Sequence, residues 1–314
     1  MTAACPLALG IDAGGTQTRW ALFAADVSAD VTVAAVGKSG ALVAEGALAG
    51  LSALQMASEA GRKAMQATFA QLGAAVLCHG QPDRICAGLT GFGGDGDVIA
   101  QWLAVALSVA PTEVKLRSDI EIAYLDSFAP GEGYLVYAGT GSIAAWIDGD
   151  RVFHRAGGRG VTLDDGGGGY WIAREALRHI WRREDETPGA WQQSPMARAV
   201  FGHVGGSDWS FSRQFMNGQD RGAIGQLALA VAATVESDPA AKRILESAGH
   251  ELARIAQALV SRFGARPVVL AGRAASLHPL IFSTMRDALS PLVVERKALQ
   301  AHHAAARLAL NSQP

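Results

Sequence analysis

The chain opens on a strict alternation. Leu7, Leu9 and Ile11 are separated by Ala8 and Gly10, which predicts a β-strand with one apolar face. After Asp12-Ala-Gly-Gly-Thr-Gln-Thr18, the run Trp20 to Phe23 is a β-rich return, so the segment reads as a hairpin whose Gly14 and Gly15 are expected to take the positive φ of a tight turn. Val31 to Val36 reads as a third strand that stops at Gly37-Lys-Ser-Gly40. The period then becomes helical. Leu54, Ala57, Gly61, Ala64, Met65 and Phe69 mark one face of a helix over Ser52–Leu72, with Gly73 as its stop. Arg84–Leu89 is a short buried strand, Val98–Val109 an apolar helix, and Thr112–Arg117 a further strand. The order β-β-β-α-β-α-β predicts a mixed sheet covered by helices.

The hairpin pattern recurs. Tyr134-Leu-Val-Tyr-Ala-Gly-Thr-Gly-Ser-Ile-Ala-Ala-Trp-Ile147 is again an apolar run, a Gly/Thr/Ser turn and an apolar return, which suggests two halves facing one ligand. Arg151–Arg155 reads as a strand, and Ala156–Gly169 follows with seven glycines, too many for a packed element. A helix starts at Tyr170. From Trp191 to Phe263 the chain is nearly all helical, its longest stretches Ile224–Val235 and Ala240–Phe263, broken at Asp238-Pro239. Arg266–Ala275 contains a strand and a glycine turn, Leu277–Leu289 a helix, Leu292–Glu295 a last strand and Ala298–Leu310 a closing helix. Two domains are expected, 1–118 and 119–297, hinged near Arg117–Asp119, with the closing segment 298–314 returning to the first.

Composition narrows the partners. Of 314 residues, 49% are hydrophobic and 18% charged, the balance of a globular protein. A formal charge of −2 and the lack of a dense Lys/Arg run argue against nucleic acid as a partner. The start has no basic segment of the kind that opens a signal peptide, and no apolar run approaches the roughly 20 residues of a membrane span, so a cytoplasmic protein without membrane contact is expected. Cys5, Cys78 and Cys86 lack zinc-ligand spacing and are expected as buried thiols.

The candidate chemistry sits in the turns. Backbone N–H groups of the first turn, with the Thr16 and Thr18 hydroxyls, would form a concavity suited to an anion. Asp119 and Glu121 open a helix just beyond a strand's carboxyl end, where open α/β sheets bind ligands, and a helix cap from Ser118 or Asp119 is compatible with a catalytic base there. The glycine loop places Asp164, Asp165 and several backbone amides at a helix N-terminus, where a polyhydroxylated or anionic ligand can approach closely.

Taken in order, these motifs resemble the N-acetylglucosamine kinase and BadF/BadG-type ATPase family of the actin/hexokinase/Hsp70 superfamily, over essentially the whole chain. Asp12-Ala-Gly-Gly-Thr16 looks like the first phosphate motif, Ala138-Gly-Thr-Gly-Ser142 like the second, Val268-Val-Leu-Ala-Gly272 like the adenosine motif, and Asp165 to Leu177 like the sugar-site loop and helix. The resemblance implies an α/β fold of two ribonuclease-H-like (actin-like ATPase) domains with an interdomain cleft, and ATP with Mg²⁺ as cofactors. It assigns Asp119 as the catalytic base and Asp12 as the residue orienting Mg²⁺ through water. Gly14, Gly15, Thr16, Thr18, Gly139, Thr140, Gly141, Ser142 and Gly272 would hold the nucleotide, and Gly158, Arg159, Gly160 and Asp165 a small-molecule sugar. Against the family pattern, Arg159 replaces a Trp, Gly166 a Glu, Gly50 an Asn that contacts the sugar, and Arg273 a second Gly of the adenosine turn.

The leading expectation is a kinase acting on a hydroxyl of N-acetylglucosamine, glucosamine or a relative. The alternative is a BadF-type ATPase that switches a partner protein; its activators bridge a dimer with an iron–sulfur cluster, and these three cysteines are poorly placed for one. A sugar-binding regulator would normally add a DNA-binding module, for which no room remains. A homodimer is compatible with either leading reading.

Overall fold

The computed structural model describes residues 5–25 and 40–311. The expected strand Val31–Val36 lies outside the described residues. The strand that completes the opening trio is Gly40–Ala49, a segment without a clean alternation of apolar and polar residues.

Contacts divide the chain into two compact units, Met1–Asp126 with Gln300–Pro314, and Ser127–Leu299. The first holds β1 (Leu7–Ala13), β2 (Gln17–Ala25), β3 (Gly40–Ala49), α1 (Glu59–Leu77), β4 (Arg84–Leu89), α2 (Gly96–Leu107), β5 (Val114–Ser118), most of α3 (Asp119–Ser127), and a helix from the end of the chain. Its sheet runs β3-β2-β1-β4-β5; β1 is antiparallel to β2 and parallel to β4, which is parallel to β5.

The alternation of β1 sorts its side chains onto two cores. Leu9, Ile11 and Ala13 join Met65, Phe69, Leu72, Ile99 and Leu103 from α1 and α2. Ala8, with Ala21, Phe23, Cys86 and Ile122, packs on the alanine-rich C-terminal helix Ala301–Asn311. Burying one such Leu, Ile, Phe or Met contributes about 1.5–3 kcal/mol. Gly10 fixes how close that helix comes: a Cβ there would lie 2.0 Å from the His302 carbonyl oxygen and 2.2 Å from Ala306 N. Between helix and sheet, burial pushes the His302 imidazole down to about 4, helped by His303 beside it.

Several local expectations are corrected. Gly73 does not stop a helix; it lies inside α1, where a Cβ would sit 2.1 Å from the Ala106 carbonyl oxygen, so it is the point at which α1 crosses α2. The predicted start at Ser52 caps a single 3-10 turn, Ala53–Ala57, and α1 begins after Ser58, whose hydroxyl accepts from Gly61 N. Of the three cysteines only Cys86 is buried, its thiol pushed up to about 11, while Cys5 and Cys78 are exposed.

The second unit carries β6 (Tyr134–Ala138), β7 (Ser142–Ile147), β8 (Phe153–Gly157), α4 (Gly169–Glu186), α5 (Pro195–Val204), α6 (Trp209–Gly218), α7 (Arg221–Gly225), α8 (Leu227–Ala232), α9 (Pro239–Phe263), β9 (Val268–Ala271), α10 (Pro279–Ala288) and β10 (Val294–Arg296). The remaining helix, Ala301–Asn311, is α11. The second sheet runs β10-β9-β6-β7-β8. Read from its third strand, that is the first unit's order: third, second, first, fourth, fifth, with an antiparallel hairpin feeding parallel strands. The long α9 buries Ala241, Leu245, Ala248, Leu252, Ala256 and Leu259, a 3.6-residue stripe. The helix expected over Ile224–Val235 is instead broken at Gln226, whose N–H bonds back to the Gly222 and Ala223 carbonyls. Among the described residues no helix is long and apolar enough to cross a membrane.

Candidate active site

In the first unit the parallel strands β1, β4 and β5 end side by side, and Asp12, Gly88 and Arg117 are in register across them. Just beyond stand Thr90 and Asp119. Thr90 N–H donates to the Ala13 carbonyl at 3.0 Å, and its own carbonyl accepts from Ala53 N and from the Ser52 hydroxyl. Its side-chain hydroxyl donates to Asp119 Oδ2 at 2.6 Å, while Asp119 Oδ1 accepts from Ile120 N at 2.9 Å. Gly88 makes room for this approach, since a Cβ there would be 2.8 Å from the Ile122 side chain and 3.3 Å from Asp119 Cα.

The cap and the candidate base are separate residues. Ser118 Oγ accepts from Glu121 N, and Glu121 Oε2 accepts from Ser118 N, the reciprocal pair of a capping box. Glu121 is thereby committed to the helix. Asp119, relieved of capping, keeps its carboxylate for other work. Burial raises its pKa, with the Thr90 hydroxyl pulling the other way because it bonds the ionised form. Asp12 is pushed up to about 6, first by burial and then by the negative charge of Asp119, with Arg19 opposing. Arg19 faces Asp12 across the hairpin.

The first turn differs from its expectation. Neither Gly14 nor Gly15 takes a positive φ. A Cβ on Gly15 would meet nothing within 4 Å, so the bare backbone is not demanded by the turn itself. What the fold does demand is Gly50, where a Cβ would lie 2.3 Å from the Gly15 carbonyl oxygen; the end of β3 backs the turn, and the Asn of the family pattern has no room there. Leu51 N–H bonds the Gly14 carbonyl at 3.0 Å. Thr16 is exposed, but Thr18 is 2% exposed and its Oγ1 has no hydrogen-bond partner among the described residues, so the two hydroxyls do not converge on the turn's open side.

The second unit assembles its motifs tightly. Gly139 N–H closes the turn onto the Gly141 carbonyl, and Gly169 N–H and Tyr170 N–H, at the start of α4, donate to the carbonyls of Gly139 and Thr140. A Cβ on Gly168 would lie 2.7 Å from Gly141 C. Ser142 is buried, and its hydroxyl donates to the Gly166 carbonyl at 2.7 Å, inside the loop rather than toward an open face. Asp165, buried and at φ 53, accepts from Gly160 N at 3.0 Å and has its other oxygen against Gly141; burial raises its pKa. Gly157, Gly158, Gly160 and Gly167 all take positive φ, which explains the glycine density of the loop. Gly272, at φ 102, would put a Cβ 2.3 Å from the Ala138 carbonyl oxygen, so the third motif packs directly on the end of β6. Arg159 is exposed.

The structure therefore gathers Asp12, Gly14, Gly15, Thr16 and Asp119 at one sheet end, and Gly139–Ser142, Gly158–Gly160, Asp165 and Gly272 at the other unit's equivalent end. Three residues join them that sequence reasoning missed. Thr90 holds Asp119, Arg19 offsets Asp12, and Arg221 lowers the Asp165 pKa. Only Thr90 left a signal, a hydroxyl directly after a buried strand and before the turn glycine Gly91, which has φ 72.

The model of the BadF/BadG/BcrA/BcrD ATPase family matches residues 9–307. The chain belongs to that family. This family member is 28% identical to a solved protein from Chromobacterium violaceum described as an N-acetylglucosamine kinase, with 98% of this chain and 100% of that one covered and a TM-score of 0.71. A ROK family glucokinase from Streptomyces griseus, solved with glucose and AMPPNP, shares the fold at 15% identity and a TM-score of 0.56, with 97% and 98% covered. The N-acetyl-D-glucosamine kinase of Dictyostelium discoideum is 30% identical over 106 residues, a match spanning 32% of this chain and 33% of that protein. Two five-stranded mixed sheets within an α/β fold are what these sugar kinase relatives share with it.

Proposed function

We propose that this protein is an ATP-dependent kinase that phosphorylates a hydroxyl of an amino sugar, N-acetylglucosamine or glucosamine. The observation that carries the reading is Asp119. It is a partly buried carboxylate of raised pKa, freed from capping duty and oriented by Thr90, in a chain alike over its full length to a protein described as an N-acetylglucosamine kinase. A sugar hydroxyl is a weak nucleophile at neutral pH, so a carboxylate within hydrogen-bond reach accepts its proton as the bond to phosphorus forms. A raised pKa makes the carboxylate a stronger base toward that proton.

Asp12 suits a cation. Its carboxylate is driven up by burial and by Asp119 and Asp126, a local excess of negative charge that a divalent ion relieves. Asp12 would hold Mg²⁺ through water. When bound, the ion neutralises charge on the phosphate oxygens. The backbone at Gly14–Thr16 and Gly139–Gly141 would line the phosphates, Gly272 the adenosine, and Asp165 with the Gly158–Gly160 backbone the sugar. Arg159, exposed where the family pattern has an aromatic residue, favours a polar or acidic sugar substituent over an apolar wall.

The deciding experiment measures ADP release with ATP and Mg²⁺ against a panel of amino sugars and neutral hexoses, wild type beside Asp119→Asn. Turnover that requires an amino sugar and collapses in the variant is the expected result. Hydrolysis indifferent to every sugar would remove the kinase reading and leave a nucleotide-driven switch.

A further inference from the structure

One cluster of ligating side chains, Glu45 with His302 and His303, is left unused by these motifs. Glu45 lies on β3 opposite Ala21, so the period of the strands puts it on the sheet face that α11 covers. His302 and His303 open α11. Neighbours in a helix normally diverge by about 100°, yet both rings turn to one carboxylate oxygen. Glu45 Oε2 lies 2.6 Å from His303 Nε2 and 3.5 Å from His302 Nε2, and the three side chains offer ligand atoms that all fall within 4.8 Å of one another. The imidazoles sit 4.4 Å apart, and Phe23 packs its edge on His303 at 5.3 Å.

His302 is the telling member. It is 7% exposed, its Nδ1 is buried without a hydrogen-bond partner among the described residues, and its Nε2 is aimed at Glu45 from a distance long for a hydrogen bond. An alanine-rich wall has no packing need for an imidazole, and burying a polar ring that makes no good hydrogen bond is costly. Two imidazole nitrogens and one carboxylate form a donor set for borderline-soft divalent ions, with a water in the fourth place. Around an ion bound at about 2.0–2.1 Å, donors lie about 3.3 Å apart, a spacing that the 2.6 and 3.5 Å separations straddle. Glu45, half-exposed, leaves a path for entry.

We propose that Glu45, His302 and His303 form a binding site for a divalent transition metal ion of the zinc type, pinning α11 to the edge strand β3. The site makes no use of nucleotide or sugar and stands apart from the kinase reading. Because α11 crosses β1 at Gly10, two residues before Asp12, the ion would stiffen the support beneath the first turn.

The test uses full-length protein stripped with a chelator and titrated with Co²⁺, whose visible absorption reports tetrahedral coordination. One equivalent bound, displaced by Zn²⁺, is expected in the wild type, with an affinity loss of at least tenfold in both Glu45→Gln and His303→Gln. Zn²⁺ should also raise the unfolding temperature of the wild type and of neither variant. Absorption that never saturates at one equivalent, or that survives both substitutions unchanged, overturns the proposal. Should His303→Gln fail to fold, Glu45→Gln at its half-exposed position decides alone, its fold checked by circular dichroism.

Discussion

The turn after β1 and the turn after β6 occupy the same place in two sheets of the same strand order, yet they are built on opposite principles. The first is bare. Gly15 has open space where a side chain would be, and the charged groups beside the turn, Asp12 and Asp119, are carboxylates held above their ordinary pKa. The second is packed. Gly141 touches Asp165, Gly168 touches Gly141, Gly272 touches Ala138, and Asp165 spends its oxygens on the surrounding backbone. One fold has thus yielded an edge that carries carboxylates of raised pKa in one unit and a close-packed backbone platform in the other.

Substitutions at matched positions can break that contrast. The largest effect is expected at Asp119: if it is the base, Asp119→Asn lowers sugar-dependent kcat by about 10²–10⁴-fold with KM little changed, as steady-state kinetics would show. The aspartate of the second unit should behave otherwise, Asp165→Asn acting mainly on stability and sugar KM. Equal kcat losses in the two variants would erase the division of labour.

The glycines give the next largest contrast. Gly272→Ala must adopt φ 102 and clash with the Ala138 carbonyl, so a loss of about 2–4 kcal/mol in chemical denaturation is expected. Gly15→Ala meets nothing and should leave stability within about 0.5 kcal/mol while weakening ATP binding. A destabilised Gly15→Ala would show the first turn to be as packed as the second.

A pH series sharpens the electrostatic half. Asp12 has a folded pKa of about 6 against an ordinary 3.8, so its contribution to stability is fully present below about pH 4 and is lost as pH rises through 6. Asp12→Asn should therefore stabilise the nucleotide-free protein at pH 7–8, by on the order of 2 kcal/mol, and have little effect at pH 4, measured as unfolding temperature. Thr90→Val removes a hydrogen bond to the ionised form of Asp119, so the acid limb of the kcat profile should move to higher pH. The smallest effect belongs to Arg254, an exposed residue paired with Asp164 and Glu251. Its replacement by Ala should cost at most about 1 kcal/mol and leave kcat unchanged.

Which parts of this were legible in advance follows from the range of the forces involved. Both hairpins, Arg84–Leu89, α3 and α9 could be read because alternation and 3.6-residue stripes are local records of which face is buried. Strand β3 was missed because Gly40-Ala-Leu-Val-Ala-Glu-Gly carries no clean alternation; it is an edge strand with mostly exposed or half-exposed side chains and a register shift opposite Leu22/Phe23. Gly73 is expected as a helix stop and instead lies inside α1 where α2 crosses it, because a glycine that ends a helix and one that admits a neighbouring backbone look identical in sequence.

The sequence by itself determined the duplicated strand-turn-strand pattern, the acids at strand ends, the glycine loop before α4 and the family that they resemble, because each is a matter of residue type and near spacing. Only the tertiary structure decided which of those residues are free to act. Thr90 and Asp119 are 29 positions apart and Glu45 and His303 are 258 apart, and no local pattern encodes such pairs. Ser142 and Thr18, hydroxyls placed by sequence at a phosphate, are turned inward by burial. Their fate was set by what packs over them, a property of the whole unit and not of the turn.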